Sequence, residues 1–188
     1  GAVFAAKLYL ATENQAYLDM AKGLYQWTKQ SLLDEEDWLY MDNMNMRREV
    51  DKRKFAYNSG QMVQAGALLY RITGRMEYIE EARRTAKACH EFFFRPFTGK
   101  DGKEFRILNP GDIWFHAVMV RGLVELYHMD GNAEYVNDVR KTLEHAWNEV
   151  RTPQGLFPAD LTGARKDKRY WLLTQAAMAE MFARMSNI

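Results

Sequence analysis

The chain has 188 residues, enough for one domain with a sizeable core and too few for two comfortable ones. Lys+Arg 26 against Asp+Glu 25 leaves a net charge of +1, so no nucleic-acid footprint is present. The single cysteine, Cys89, excludes an internal disulfide and a cysteine-rich metal site, and no apolar run reaches membrane-spanning length.

Ala2 to Leu10 is the first apolar segment, and it ends in Leu8-Tyr9 with Tyr17-Leu18 following. The same phrase returns as Leu69-Tyr70 with Tyr78-Ile79, and as Leu126-Tyr127 with Tyr135-Val136, the two tyrosines being eight residues apart each time. The repeats lie roughly 60 residues apart, longer than tetratricopeptide, ankyrin or HEAT units. Each therefore holds two long helices and a long loop.

The first helix of each pair is apolar on all sides: Ala2 to Leu10, Met62 to Ile72, and Ile113 to Tyr127. Such a helix belongs inside. The second is one-sided. Ile79, Ala82, Ala86, Cys89 and Phe93 fall at helical spacing, as do Tyr135, Val139, Leu143 and Ala146, with charge on the opposite face. Thr73-Gly74 and Asp130-Gly131 supply glycines for tight turns between the partners, and Asn132 can cap the next helix. Tyr170 to Met185 reads as one more inner helix.

Buried helices alternating with half-buried ones predict an all-α fold in two layers, a partial (α/α)6 toroid of about seven helices, four inner and three outer. A closed ring of six hairpins needs twelve helices. Residues 1–188 are thus expected to form a single domain, an incomplete toroid.

The long connections, Leu33 to Ala56, Phe94 to Asp112 and Val150 to Arg169, all fall at the end opposite the tight turns. Leu39-Tyr40-Met41 and Phe105-Arg106-Ile107-Leu108 are expected to be short extended pieces within them. Loops gathered on one face of a rigid scaffold are where binding and chemistry concentrate.

At that end the inner helices begin with polar or aromatic residues: Tyr57, Asn58 and Gln61; Asp112, Trp114, Phe115 and His116; and Trp171 with Thr174 and Gln175. Aromatic faces that stack on C–H surfaces, beside amides and carboxylates that bond hydroxyls, suit a carbohydrate cleft. Asp42 and Asp160 are the acidic contacts nearest to it. Large aromatics also carry cores, and a lone histidine on an inner helix, such as His116, is more often a bonded core residue than a base. The run Asp34-Glu35-Glu36-Asp37 reads as a solvated loop. Besides His116, His90, His128 and His145 stand on separate helices with no metal-ligand pair among them, and no Gly-rich phosphate loop occurs, so neither cofactor nor metal is expected.

Ala56-Tyr57-Asn58-Ser59-Gly60-Gln61, followed by Leu69-Tyr70-Arg71-Ile72-Thr73-Gly74, resembles the Tyr-Asn-x-Gly … Leu-Tyr-x-x-Thr-Gly signature of glycoside hydrolase family 76. Leu8 to Thr12 with Tyr17 to Ala21, Trp114-Phe115 through Arg121, and Leu173 to Ala177 resemble the neighbouring repeats. That family holds endo-α-1,6-mannanases on an (α/α)6 toroid. The resemblance implies retaining hydrolysis of a mannan-like polysaccharide outside the cytoplasm, with Tyr57, Asn58 and Gln61 on the cleft floor and Asp112, Trp114 and Phe115 on its wall. Two departures stand out. His116-Ala117 occupy the place where the family often has Lys-Gly, and the family's adjacent pair of catalytic aspartates finds no Asp-Asp anywhere in these residues. The chain alone is therefore expected to be inactive, its partners being the sugar and the missing N-terminal part of the same domain, with no nucleic acid and no membrane. A non-catalytic carbohydrate-binding toroid is the alternative. A sugar epimerase would need paired histidines at the cleft, and a protein-binding scaffold a shorter repeat.

Overall fold

A computed structural model describes residues 1–188. Seven α-helices run in order: α1 (Ala2–Thr12), α2 (Gln15–Leu32), α3 (Ala56–Thr73), α4 (Met76–Phe93), α5 (Ile113–Asp130), α6 (Glu134–His145) and α7 (Leu172–Met185). One π-helical turn, Ala146–Val150, extends α6. The inner helices stand side by side in the order α1, α3, α5, α7, and α2, α4 and α6 cover them from outside.

The sequence repeat has a direct structural cause. The backbone N–H of the residue closing each of the first three inner helices bonds back to the carbonyl of the repeated tyrosine: Glu13 to Tyr9, Gly74 to Tyr70 and Gly131 to Tyr127, at 2.7, 2.8 and 2.8 Å. All three closing residues are left-handed, with φ of 57, 69 and 70°. Glycine adopts this conformation without strain, whereas Glu13 does so at some cost. Asn14 caps α2 by accepting from Ala16 at 3.0 Å, and Asn132 accepts from Glu134 at 3.1 Å at the start of α6.

The α3–α5 crossing is the tightest in the molecule, and two glycines make it possible. A Cβ on Gly60 would lie 2.2 Å from the Met119 Cα, and one on Gly122 would lie 2.2 Å from the Gly60 carbonyl oxygen. At such a distance two backbones are in contact with no side chain between them. Around the crossing Val63, Leu68, Leu69, Met119, Val120 and Leu123 are buried. Arg121 grips Glu180 in a two-pronged pair at 2.6 and 2.7 Å, fastening α7 to α5.

The extended pieces expected at Leu39-Tyr40-Met41 and Phe105-Arg106-Ile107-Leu108 lie within β-strands, and the first two connections carry more strand than those pieces alone. The first carries three antiparallel strands, β1 (Leu33–Asp34), β2 (Leu39–Met44) and β3 (Val50–Lys54), in the order β1-β2-β3. The second is a hairpin of β4 (Phe94–Thr98) and β5 (Glu104–Leu108). Leu39, Tyr40, Ile107 and Leu108 are buried, which holds both hairpins on the helical body. The acidic run is not simply solvated. Asp34 in β1 and Asp37 both bind Lys54 at the end of β3, so a long-range cation, invisible to local sequence, neutralises them. The hydrogen bond from Lys54 holds the Asp34 carboxyl below the ordinary range. The last helix begins two residues later than expected, leaving Tyr170 and Trp171 in the loop.

Candidate functional site

The N-terminal ends of α3 and α5 lie side by side because the glycine crossing brings the two helices together, and the aromatics at those ends stack. Tyr57 is sandwiched between Phe55, with centroids 5.8 Å apart and planes 6° apart, and Trp114, 5.8 Å away at 9°. Phe115 closes edge-on against all three, at 5.3 Å from Phe55, 4.7 Å from Tyr57 and 4.2 Å from Trp114. The Arg53 guanidinium sits 5.5 Å from the Phe55 centroid, a cation–π contact at the far end of the column. Trp114 remains 37% exposed, so part of the column faces solvent.

Asp42 joins this column to the amide beside it. Its Oδ1 accepts from the Tyr57 hydroxyl and from Asn58 Nδ2 at 3.1 Å, while Oδ2 accepts from Asn43 Nδ2 at 2.8 Å. Burial opposes ionisation here, but the three donated hydrogen bonds outweigh it and hold the carboxyl below its usual range. Burial, followed by the bond to Asp42, pushes the Tyr57 phenol upward, so the pair is carboxylate and neutral phenol. Asn58 and exposed Gln61 share a small pocket of about 100 Å3 with Ala2, Thr28, Tyr40 and Met41. Behind the column a second pocket of about 240 Å3 is bounded by Phe55, Asn109, Asp112, Phe115 and His116. A larger recess of about 600 Å3 lies elsewhere, between the β4–β5 turn and α6. Lys100, Glu104, Lys141 and Glu149 wall it, with one hydrophobic residue among its eleven, and it reads as a solvated groove.

Of the residues the sequence singled out, Asp42, Tyr57, Asn58, Trp114 and Phe115 come together, with Gln61 one helical turn along. Asp112 is exposed at the start of α5 and makes no capping bond. Trp171 is 64% exposed at the start of α7 and stacks on no other ring. His116 takes the core alternative rather than a place on the cleft wall, and Asp160 is placed differently from expectation. His116 is buried and bonds the Asn109 carbonyl through Nε2 at 2.9 Å. Desolvation lowers its pKa to about 4, so it is a neutral core residue. The buried Asp160 spends its carboxylate on the backbone N–H and hydroxyl of Thr162, closing a local turn. Neither presents a group to the cleft. Phe55 and Arg53 were missed, although an aromatic immediately before an inner helix, two residues after an arginine, was a readable signal. No cluster of three His, Cys, Asp or Glu side chains suited to a metal occurs.

The family model for glycosyl hydrolase family 76 matches residues 1–103. The chain is 32% identical over 100 residues to the mannan endo-1,6-alpha-mannosidase DCW1 of Candida glabrata, a match covering 50% of this chain and 22% of that protein. A family 76 glycoside hydrolase from a bovine Bacteroides thetaiotaomicron strain superimposes with a TM-score of 0.95 and 36% identity, covering 99% of this chain and 41% of that one. An inactive variant of the α-1,6-mannanase of Salegentibacter, solved with α-1,6-mannotetrose, superimposes with a TM-score of 0.83 and 25% identity over 99% of this chain and 56% of its own. The chain thus spans about half, or less, of the length of these relatives. With the helical layers, the matched segment and the superpositions in agreement, the chain belongs to glycosyl hydrolase family 76, on the α/α toroid fold.

Proposed function

We propose that this chain is the substrate-orienting part of a glycoside hydrolase that cleaves α-1,6-linked mannan. The observation that carries this is the joined set of Asp42, Tyr57, Asn58 and Trp114 at the loop end of a family 76 chain, with stacking face and directional amide side by side. Support comes from the Salegentibacter enzyme, whose inactive variants carry replacements of two aspartates and bind α-1,6-mannotetrose and α-1,6-mannotriose. In retaining hydrolysis one carboxylate attacks the anomeric carbon while the other protonates the leaving oxygen. On this reading the reaction carboxylates are an adjacent pair like the one replaced in the Salegentibacter variants, and no adjacent aspartates occur in these residues. Here Trp114 stacks on the sugar with Tyr57 backing it, Asn58 and Gln61 bond its hydroxyls, and Asp112 and Trp171 meet more distant rings. The apolar side chains exposed on α1 and α7, Phe4 at 68% and Leu172 at 83%, fit further helical hairpins that complete the ring. Mannan is an extracellular polymer, and the enzyme acts outside the cytoplasm.

The test is chromatographic. The 188-residue chain is expected to release no mannooligosaccharides from α-1,6-mannan, and the full reading frame is expected to release them. Cleavage by the chain alone overturns the division of labour. A full reading frame that binds α-1,6-mannotetraose without cleaving it establishes the second reading, a non-catalytic carbohydrate-binding toroid, which the missing Asp-Asp favours.

A further inference from the structure

Asp42 stands where β2 and β3 lose register. Met41 pairs with Lys54 and Asn43 with Asp51, so Lys52 and Arg53 together face the single Asp42. A β-bulge of this kind bends its strand and re-aims a side chain, and bulges recur beside active sites. Here β3 bends straight into α3, and the Asp42 carboxylate meets the first turn of that helix rather than open solvent. All its captured donors belong to the protein: the Tyr57 hydroxyl, Asn58 Nδ2 and Asn43 Nδ2. The carboxylate bonds Tyr57, and Tyr57 in turn stacks on Trp114. Tyr57 is therefore held three ways, by Phe55 on one face, Trp114 on the other, and an ionised acceptor at its hydroxyl.

We propose that Asp42 is a positioning and specificity-determining residue. Through the Tyr57 hydroxyl it sets the tilt of the ring against which Trp114 packs, and through Asn58 it sets the direction of the amide. The ends of α3 and α5 then present one preformed surface to a sugar. This rests on the carbohydrate reading above. Three of the carboxylate's acceptor positions serve internal donors, so Asp42 acts on a sugar chiefly through Tyr57 and Asn58. Charge-assisted bonds of this sort fix geometry as well as adding attraction. A surface fixed beforehand loses less side-chain entropy when a ligand arrives.

The first arm of the test needs no sugar. The Trp114 indole N–H resonance of the 188-residue chain is assigned with Trp114→Leu and followed in Asp42→Ala, Asp42→Asn and Tyr57→Phe. Each is expected to move it, and the double variant Asp42→Ala/Tyr57→Phe no further than the larger single change, as a shared pathway requires. An unmoved resonance in both Asp42 variants, or strictly additive shifts, overturns the proposal. The second arm uses the full-length enzyme on α-1,6-mannooligosaccharides. Asp42→Asn is expected to raise KM about tenfold with kcat nearly unchanged, and Asp42→Glu to recover part of the loss. A lower melting temperature with KM unchanged would mark a structural role only and also overturn it. Should the full-length enzyme neither bind nor cleave these sugars, the carbohydrate reading fails, while the indole measurement still decides whether Asp42 positions the column.

Discussion

Two pairs of inner helices with the same kind of sequence behave differently. On α3 and α5 eleven and ten residues are buried, most of them apolar. On α1 and α7 only three and four are. Composition does not separate the pairs, since each is apolar with little charge. Neighbours do. The central helices have an inner helix on both sides and outer helices behind, whereas Phe4, Leu10, Leu172 and Leu173 of the flanking pair face outward with nothing packed on them. An apolar helix states a demand for burial, and its place in the arc decides how far these residues meet it.

The sharpest way to break the central pair is Gly60→Ala. The new methyl group would overlap the Met119 backbone at 2.2 Å, and backbone cannot rotate aside as a side chain can. The expected loss exceeds the roughly 3 kcal/mol usual for overpacking, read as loss of a cooperative thermal transition or a sharply reduced urea midpoint. Next come matched leucine truncations. Leu69→Ala, fully buried on α3, is expected to cost about 2–5 kcal/mol, while Leu172→Ala on the exposed start of α7 stays within about 0.5 kcal/mol in this chain. Equal effects would dissolve the contrast between centre and flank.

A third prediction separates His116 from Asp42 by pH. His116 is buried with its pKa lowered to about 4, below the unfolded value near 6.5. The unfolded chain therefore takes up the proton first. Stability from this group is complete above about pH 6.5 and declines as pH falls towards about 4, by up to roughly 3 kcal/mol. The Asp42 carboxyl, also lowered, keeps its contribution through that window and loses it only at more acid pH. Urea titrations of parent and His116→Gln between pH 7 and pH 4 are expected to converge as pH drops. Parallel curves would mean that His116 is not held neutral by burial.

A small effect of opposite sign is expected on the flank. Gly23 lies inside α2, exposed, and a Cβ there would meet nothing within 4 Å. Gly23→Ala is expected to raise stability by about 0.5–1 kcal/mol, by removing backbone entropy from the unfolded chain. Beside Gly60→Ala, the same substitution changes sign for reasons that lie wholly in the surroundings.

Much of this architecture was legible in the residues. Tyr9, Tyr70 and Tyr127 marked the repeat because their carbonyls close the inner helices, and the all-round apolar character of residues 62–72 and 113–127 placed those segments inside. Tyr57, Asn58 and Trp114 were readable as rim residues because each stands at the start of an apolar helix.

What one-dimensional pattern could not supply was partnership across space. Lys54 reaches back to Asp34 and Asp37 twenty and seventeen residues away; Asp42 reaches forward to Tyr57 and Asn58 through a bulge; and Gly60 meets Met119 at a crossing. Burial of His116 and the local turn around Asp160 likewise depend on what packs over them. Sequence by itself determined which segments are helical, which of them seek the interior and at which end the polar and aromatic groups gather, because those follow from local hydrophobic period and capping. Only the tertiary structure decided which rings stack, which carboxylates are spent internally and which apolar faces stay uncovered, because hydrogen bonds and steric contacts act over a few ångströms between residues far apart in the chain.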